Sequence, residues 1–201
     1  HCVIWPEHLF ALPAGISAPE GTFLDGLAVA VHAVSLADLP VGGEFAVLGA
    51  GPIGLSILQV AKACGAGRAW VVDAYDATTA CAAELGAEET RLASDSTPEG
   101  LRSQVFTATG GRGLDAVFES TGDAALQQAG LEMLAPGGAM VLMAGASEGL
   151  ALSGRGLAGE RRITTSSNHR YRDFQTALAL LAMGRVRVGP VSFTHLTLPQ
   201  N

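Results

Sequence analysis

The chain has 201 residues, of which 48% are hydrophobic and 15% are charged, and its formal net charge is −7. This composition excludes a disordered or low-complexity chain and is sufficient to fill a buried core. The apolar stretches are interrupted by Gly, Pro or Asp well short of the ~20 residues that a membrane-spanning helix needs. Because no concentrated basic face is visible either, the sequence predicts a soluble globular protein that binds neither nucleic acid nor a membrane.

The two ends of the chain are predicted to be parts of another domain. Short strand-like pieces occur at residues 3–5 and 9–13, and two such pieces cannot form a sheet of their own. We therefore expect residues 1–24 to be the tail of a domain that lies mostly upstream. Residues 192–201 end without a closing helix, and non-native sequence is an alternative for the last few of them.

Between the ends, strands and helices alternate. Strands are predicted at residues 45–49, 69–73, 90–92, 114–119, 139–144 and 162–166. Helices are predicted at residues 52–65, 76–85, 98–108, 123–134 and 173–183, with a returning strand at 188–191. This alternation predicts an α/β fold, a doubly wound parallel Rossmann sheet of six strands with right-handed crossovers, over residues 25–168.

A glycine-rich turn follows the first of these strands. Gly49, Gly51 and Gly54 form the pattern G-x-G-x-x-G, with Pro52 and Ile53 between the last two glycines. The first glycine permits a tight turn, the second lets a pyrophosphate approach the backbone, and the third lets the helix pack closely on the strand. The free N–H groups and the positive end of the helix dipole then favour a phosphate group. The turn therefore predicts a dinucleotide site.

Asp73 strengthens that prediction, because it ends the second strand and follows Gly54 by 19 residues. A carboxylate at this place can accept hydrogen bonds from the hydroxyls of a ribose. It would repel a 2′-phosphate, and residues 74–78 contain no Lys or Arg, so the sequence favours NAD over NADP. Two alternatives remain open: a glycine turn with an ordinary capping Asp, and a methyltransferase that binds S-adenosylmethionine.

The cysteines point to no metal or disulfide framework. Cys2, Cys64 and Cys81 are odd in number and scattered, with no CxxC pair. Cys64 and Cys81 lie in Ala-rich helical sequence and are predicted to be buried as small hydrophobic side chains. This usage favours a reducing compartment, and we expect a cytoplasmic location.

Three segments resemble the cofactor domain of zinc-dependent medium-chain alcohol and polyol dehydrogenases of the sorbitol dehydrogenase type. They are residues 49–65 (GAGPIGLSILQVAKACG), 109–122 (TGGRGLD to ESTG) and 134–145 (LAPGG to MAG). The resemblance implies that the pyrophosphate lies at Gly51 to Gly54 and the ribose at Asp73. It also implies that the nicotinamide lies near the ends of strands four to six, where Thr121 and Gly145 are expected to contact the cofactor.

A further match concerns Asp25. Residues 23–33, FLDGLAVAVHA, resemble a family segment in which a Glu near the catalytic zinc precedes an alternating run that ends in His. Asp25 stands where the family has Glu, one methylene shorter, and is the candidate metal ligand of this chain. The alternative is a helix N-cap role for Asp25. His32 is expected to be a packed helix residue rather than a ligand.

Residues 168–174, NHRYRDF, resemble the Phe-Arg-Tyr segment of polyol dehydrogenases. In that family the Arg and Tyr face cofactor and substrate, which makes Arg170 and Tyr171 the candidate catalytic residues on the substrate side. His169 replaces the family's Phe. The alternative is a polar helix start with solvated arginines. No role is assigned to His195.

The resemblance implies NAD-dependent, zinc-assisted oxidation of a secondary alcohol, such as a polyol or sugar alcohol, to a ketone in the intact protein. The main zinc ligands are expected upstream, in a GroES-like catalytic domain to which residues 1–24 and 169–201 belong. This chain alone is expected to be inactive, and the intact protein to form a dimer or tetramer. A zinc-independent quinone or enoyl reductase and a non-catalytic NAD-binding module are the alternatives.

Overall fold

The structure is a computed structural model, and it describes residues 3, 5–6, 9–145, 150, 152 and 158–193. Residue 4 of the predicted strand at residues 3–5 and residues 194–201 of the terminal segment lie outside these residues, and residues 3 and 5 belong to no strand. The strands are β1 (Phe45–Leu48), β2 (Ala69–Asp73), β3 (Glu89–Leu92), β4 (Leu114–Glu119), β5 (Leu134–Leu142) and β6 (Arg162–Thr165). The helices are α1 (Ala18–Thr22), α2 (Leu24–Ala37), α3 (Pro52–Ala63), α4 (Asp76–Glu84), α5 (Pro98–Ala108), α6 (Ala124–Met133), α7 (Tyr171–Ala182) and α8 (Gly189–Phe193).

The six strands form one sheet in the order β3-β2-β1-β4-β5-β6, and every adjacent pair is parallel. This confirms the predicted doubly wound Rossmann sheet. The chain reverses its direction of winding between β1 and β4, which are neighbours in the sheet. In sheets of this kind the reversal leaves a crevice at the carboxyl ends of the two strands, and ligands bind there.

Two apolar clusters hold the helices on the two faces of the sheet. One contains Phe45, Val47 and Phe118 and packs against α2 and α3. The other contains Trp70 and Met140 and packs against α5 and α6. The rings of Phe45 and Phe118 meet edge to face with centroids 6.2 Å apart. Full burial of one such ring contributes roughly 1.5–3 kcal/mol, so the two clusters fix the strands that end at the crevice.

Local sequence fixes where several helices begin. Thr97 and Asp123 cap α5 and α6, because their side chains accept hydrogen bonds from the N–H groups of Gly100 (3.1 Å) and Leu126 (2.8 Å). α3 and α5 each start with a proline, whose fixed φ and missing N–H suit the first helical position. Unlike α5 and α6, α3 has a glycine as its N-cap residue and therefore no capping side chain.

The structure corrects four expectations. Residues 9–13 form no strand, and residues 188–191 belong largely to α8, because the Val188 and Val191 spacing of three suits a helical turn that packs in the core against α3. β5 starts at Leu134, directly after α6, so the predicted loop before it is absent. Cys64 is exposed rather than buried, because it follows the last turn of α3.

None of the described helices is long and apolar enough to cross a membrane.

Candidate functional site

A cavity of about 490 Å³ opens at the carboxyl ends of β1 and β4, where the winding reverses. Its walls carry the residues Val29, Gly49, Gly51, Pro52, Ile53, Gly54, Asp73, Ser120, Thr121, Met143, Ser166, Ser167 and Asn168. The cavity thus brings together the whole glycine turn, Asp73 and Thr121. Gly145 is not among the lining residues, so its predicted cofactor contact stays a prediction.

The three glycines of the turn are required for different steric reasons. Gly49 adopts φ +100°, and a Cβ there would lie 2.6 Å from Ser120 Oγ. A Cβ on Gly54 would lie only 1.8 Å from the carbonyl oxygen of Gly49. A Cβ on Gly51 would meet nothing within 4 Å, because this glycine borders the open cavity. The protein itself therefore leaves room for a side chain at Gly51, on the wall of the cavity.

The N-terminus of α3 points to an anionic ligand in the same place. The first N–H groups of a helix have no acceptor within the helix, and Gly51 provides no capping side chain for those of Ile53 and Gly54. The helix dipole adds partial positive charge at this end. Together with the space at Gly51, these groups fit a phosphate or pyrophosphate.

The carboxylate of Asp73 is fixed by three hydrogen bonds. Its Oδ2 accepts from the backbone N–H of Ala50 at 2.6 Å, which ties β2 to the glycine turn. Its Oδ1 accepts from the Thr78 hydroxyl at 2.6 Å and from the Tyr75 N–H at 3.1 Å. A carboxylate has about four acceptor positions, so one remains for a hydroxyl of a ligand. None of the described lining residues is Lys or Arg, so none of them offers a cation to a ribose 2′-phosphate beside Asp73.

Sequence reasoning missed the part that Glu119 plays in this site. The side chain ends β4 and is 0% exposed. Its Oε1 accepts from the Thr121 N–H at 2.6 Å, from the Gly122 N–H at 3.0 Å and from the Thr121 hydroxyl. Its Oε2 accepts from the Gln127 side-chain amide at 2.8 Å. The available signal was a carboxylate at the end of an otherwise apolar buried strand, which here shapes the turn that carries Thr121.

The candidate substrate-side residues lie at the start of α7, beside a second cavity. Arg170 and Tyr171 are both exposed. The rings of Phe10 and Phe174 stack with centroids 4.6 Å apart, and Tyr171 lies 5.0 Å from Phe10. These three rings and His169 line a cavity of about 320 Å³. Arg170 lines neither cavity, so the structure gives Tyr171, but not Arg170, a place beside a candidate ligand space.

Asp25 is the second residue of α2, whose N-cap is Phe23, so the N-cap alternative for Asp25 is wrong. Its Oδ1 lies 3.0 Å from His169 Nε2. The part of the chain that the structure describes contains no group of three or more His, Cys, Asp or Glu side chains arranged to hold a metal ion. The donor set around Asp25 therefore does not fit a complete zinc site. His32 is buried in α2, as predicted, with its Nδ1 3.0 Å from Asp173 Oδ2.

Comparison with known proteins identifies related chains. The profile of the family described as zinc-binding dehydrogenase matches residues 52–183. Sorbitol dehydrogenase 1 of Saccharomyces cerevisiae is 31% identical over 194 residues, which cover 94% of this chain and 54% of the relative. D-xylulose reductase of the same yeast is 35% identical over 137 residues, which cover 67% of this chain and 38% of the relative. The chain thus spans about half the length, or less, of these relatives.

The fold likeness to solved structures is equally extensive. The crystal structure of 2R,3R-butanediol dehydrogenase from Bacillus subtilis superposes with a TM-score of 0.82 at 27% sequence identity. The match covers 90% of this chain and 51% of the other. The likeness in fold therefore includes nearly all of this chain.

Proposed function

This chain belongs to the zinc-binding dehydrogenase family, and from that premise we propose that the intact protein oxidises a secondary alcohol, a polyol or sugar alcohol, with NAD. Sorbitol dehydrogenase and D-xylulose reductase are among the relatives, which supports this substrate class. The observation that carries the proposal is the cavity at the reversal of the sheet, which combines the glycine turn, the free N-terminus of α3 and Asp73.

The residues of this cavity fit a dinucleotide. The first N–H groups of α3 hold the pyrophosphate against Gly51, where a Cβ would occupy the same space. Asp73 accepts a hydrogen bond from the ribose and keeps a 2′-phosphate away by its charge. Thr121 closes the side of the cavity that faces the glycine turn. A bound oxidised NAD would supply the hydride acceptor for the carbon that carries the hydroxyl, and release of the hydroxyl proton to solvent would complete the ketone.

Zinc assistance is part of the proposal for the intact protein, and its main ligands are placed outside this chain. Since Asp25 contacts His169 and the described residues form no metal group, Asp25 is assigned no step in the reaction. The same proposal includes assembly into a dimer or tetramer. It also assigns residues 25–168 to the cofactor domain, and residues 1–24 and 169–201 to the border of a catalytic domain.

Two measurements test the proposal. Isothermal titration of this chain with NADH and NADPH should show binding of NADH and much weaker binding of NADPH. NAD-dependent oxidation of sorbitol, xylitol and simple secondary alcohols by the intact protein should be lost on chelation and restored by added zinc. Activity that survives chelation would favour the zinc-independent reductase, and NADH binding without any activity would favour the non-catalytic module.

A further inference from the structure

We propose that Glu119 and Gln127 are positioning residues for the cofactor: they hold the turn 120–122 in the shape that the dinucleotide needs. The inference rests on the proposed NAD site and goes beyond it, because neither side chain lines the cavity. Glu119 acts through the residues that do line it. The pair is thus assigned to the binding of cofactor rather than to the chemistry of the substrate.

The hydrogen bonds of Glu119 converge on the cavity wall from three elements. Three donors of the turn bond to Oε1: the N–H and hydroxyl of Thr121 and the N–H of Gly122. The backbone oxygen of Glu119 accepts from the N–H of Met143, a second lining residue, at 2.9 Å. Gln127 bonds to Oε2 from α6. Glu119 therefore connects the ends of β4 and β5 with α6 around the wall of the cavity.

Gln127 extends this connection to the segment after β5. Its side chain is 2% exposed, and its amide nitrogen donates both to Glu119 Oε2 (2.8 Å) and to the carbonyl oxygen of Ala144 (3.2 Å). A Cβ on Gly122, whose φ is +73°, would lie 3.0 Å from the carbonyl oxygen of Gly145. The turn and the end of β5 are therefore packed together, and Gln127 bonds to both sides of that contact.

Stability alone does not explain why a carboxylate is buried at this turn, because its burial has an unfavourable free energy. Burying a charge without a cation costs several kcal/mol unless hydrogen bonds satisfy it, and all side-chain partners of Glu119 are neutral. Charge-assisted hydrogen bonds are, however, short and directional. Three of the four donors to this carboxylate belong to the Thr121 turn, and these bonds hold the turn in the observed geometry. A binding site benefits from such a pre-formed wall, because less conformational freedom of the protein is lost when the ligand binds.

The amide in Glu119→Gln cannot reproduce this arrangement. If its oxygen faces the turn, its NH2 group faces the NH2 group of Gln127, and turning the Gln127 amide over removes this clash only by setting the Gln127 oxygen against the Ala144 carbonyl oxygen. Exchanging both residues, Glu119→Gln with Gln127→Glu, again pairs a donor with an acceptor between the two positions. The exchange leaves the Ala144 carbonyl without its donor, so we expect partial rescue.

The test compares NADH affinity with stability in four variants of this chain. They are Glu119→Gln, Gln127→Ala, the exchanged pair, and the control Gln59→Ala. Gln59 is a buried glutamine that bonds to the backbone of Arg187, outside the cavity. We expect Glu119→Gln and Gln127→Ala to raise the Kd of NADH about tenfold, measured by titration well below the melting temperature, and the exchanged pair to recover part of it. Gln59→Ala should lower the melting temperature with the Kd unchanged within about twofold.

The outcomes separate the two proposals. If the unchanged chain does not bind NADH, the proposed function itself fails. If the chain binds NADH and Gln127→Ala binds it as tightly as Gln59→Ala does, Glu119 and Gln127 are merely structural and the inference is overturned. Should Glu119→Gln not fold, the comparison of the two Gln→Ala variants still decides the question.

Discussion

His169 Nε2 lies 3.0 Å from Asp25 Oδ1, although the two residues are 144 positions apart in the chain. The contact joins the first turn of α2 to the residues that precede α7, two helices that pack side by side. Both residues stand where the sequence resemblance to polyol dehydrogenases implies another side chain, Glu for Asp25 and Phe for His169. These two side chains thus meet in one hydrogen-bonded contact, with the Asp25 side chain 76% exposed.

Breaking this pair should have a small effect on stability. Exposed ion pairs contribute about 0–1 kcal/mol because water already solvates the partners. We expect Asp25→Asn and His169→Phe each to change the free energy of unfolding by less than about 1 kcal/mol. In a double-mutant cycle followed by urea unfolding, their coupling should also stay below about 1 kcal/mol. A larger coupling would mean that the contact is shielded from solvent.

Replacing Asp73 by Ala should weaken NAD binding by about 1–3 kcal/mol, the usual effect of losing a hydrogen bond to a charged group. The matched control is Asp76→Ala, since Asp76 is an exposed acidic residue in the first turn of α4 and does not line the cavity. Titration of both variants with NADH measures the difference. Equal affinities would show that the ribose is held elsewhere.

The glycine turn predicts opposite outcomes for two similar substitutions. Gly51→Val should fold normally, because φ is −67° and the added side chain points into open space, but it should block the pyrophosphate. Gly54→Ala should destabilise by more than about 3 kcal/mol, because its Cβ would strike the Gly49 carbonyl oxygen. Thermal melts with and without NAD distinguish the two. Protection of Gly51→Val by NAD against heating would show that the site assignment is wrong.

Acid should remove a stabilising contribution from Glu88. Burial alone would raise the pKa of this carboxyl, but hydrogen bonds from Lys62 Nζ (2.5 Å) and the Ala69 N–H (2.8 Å) outweigh it and lower the pKa below its usual value. The contribution is therefore present above the unfolded-state pKa and is lost as the pH falls through the folded-state pKa. Below about pH 4.3, the usual Glu value, the melting temperature should fall less steeply for Glu88→Gln than for the unchanged chain. If the melting temperatures of both proteins fell equally with pH, Glu88 would not contribute to this acid sensitivity.

The sequence predicts the parts of this protein that depend on local pattern. The doubly wound parallel sheet follows from alternating elements and right-handed crossovers, and the glycine turn with Asp73 follows from spacing. Both are short-range rules with a steric basis. The six strands are therefore parallel and doubly wound as predicted, and the turn and Asp73 line the same cavity.

Features that depend on distant contacts escaped prediction. The valines at residues 188 and 191 predict a strand, but packing against α3 favours a helical turn. The bonds of Glu119 to Gln127, and of Asp25 to His169, follow from how separate elements meet rather than from any motif. The same holds for Phe10, which lies in an irregular segment and stacks on α7.

The hydrogen bond from the Ala50 N–H to Asp73 bears on any attempt to redesign the coenzyme preference. Under the proposed function, the carboxylate that would repel a 2′-phosphate also holds the glycine turn that would receive the pyrophosphate. Exchanging this acid for a small neutral residue would leave the Ala50 amide without its acceptor and loosen the loop for either coenzyme. An NADP-preferring descendant of this protein therefore needs two simultaneous changes: a cation for the extra phosphate, and a new acceptor, such as an Asn or Ser oxygen, for that amide.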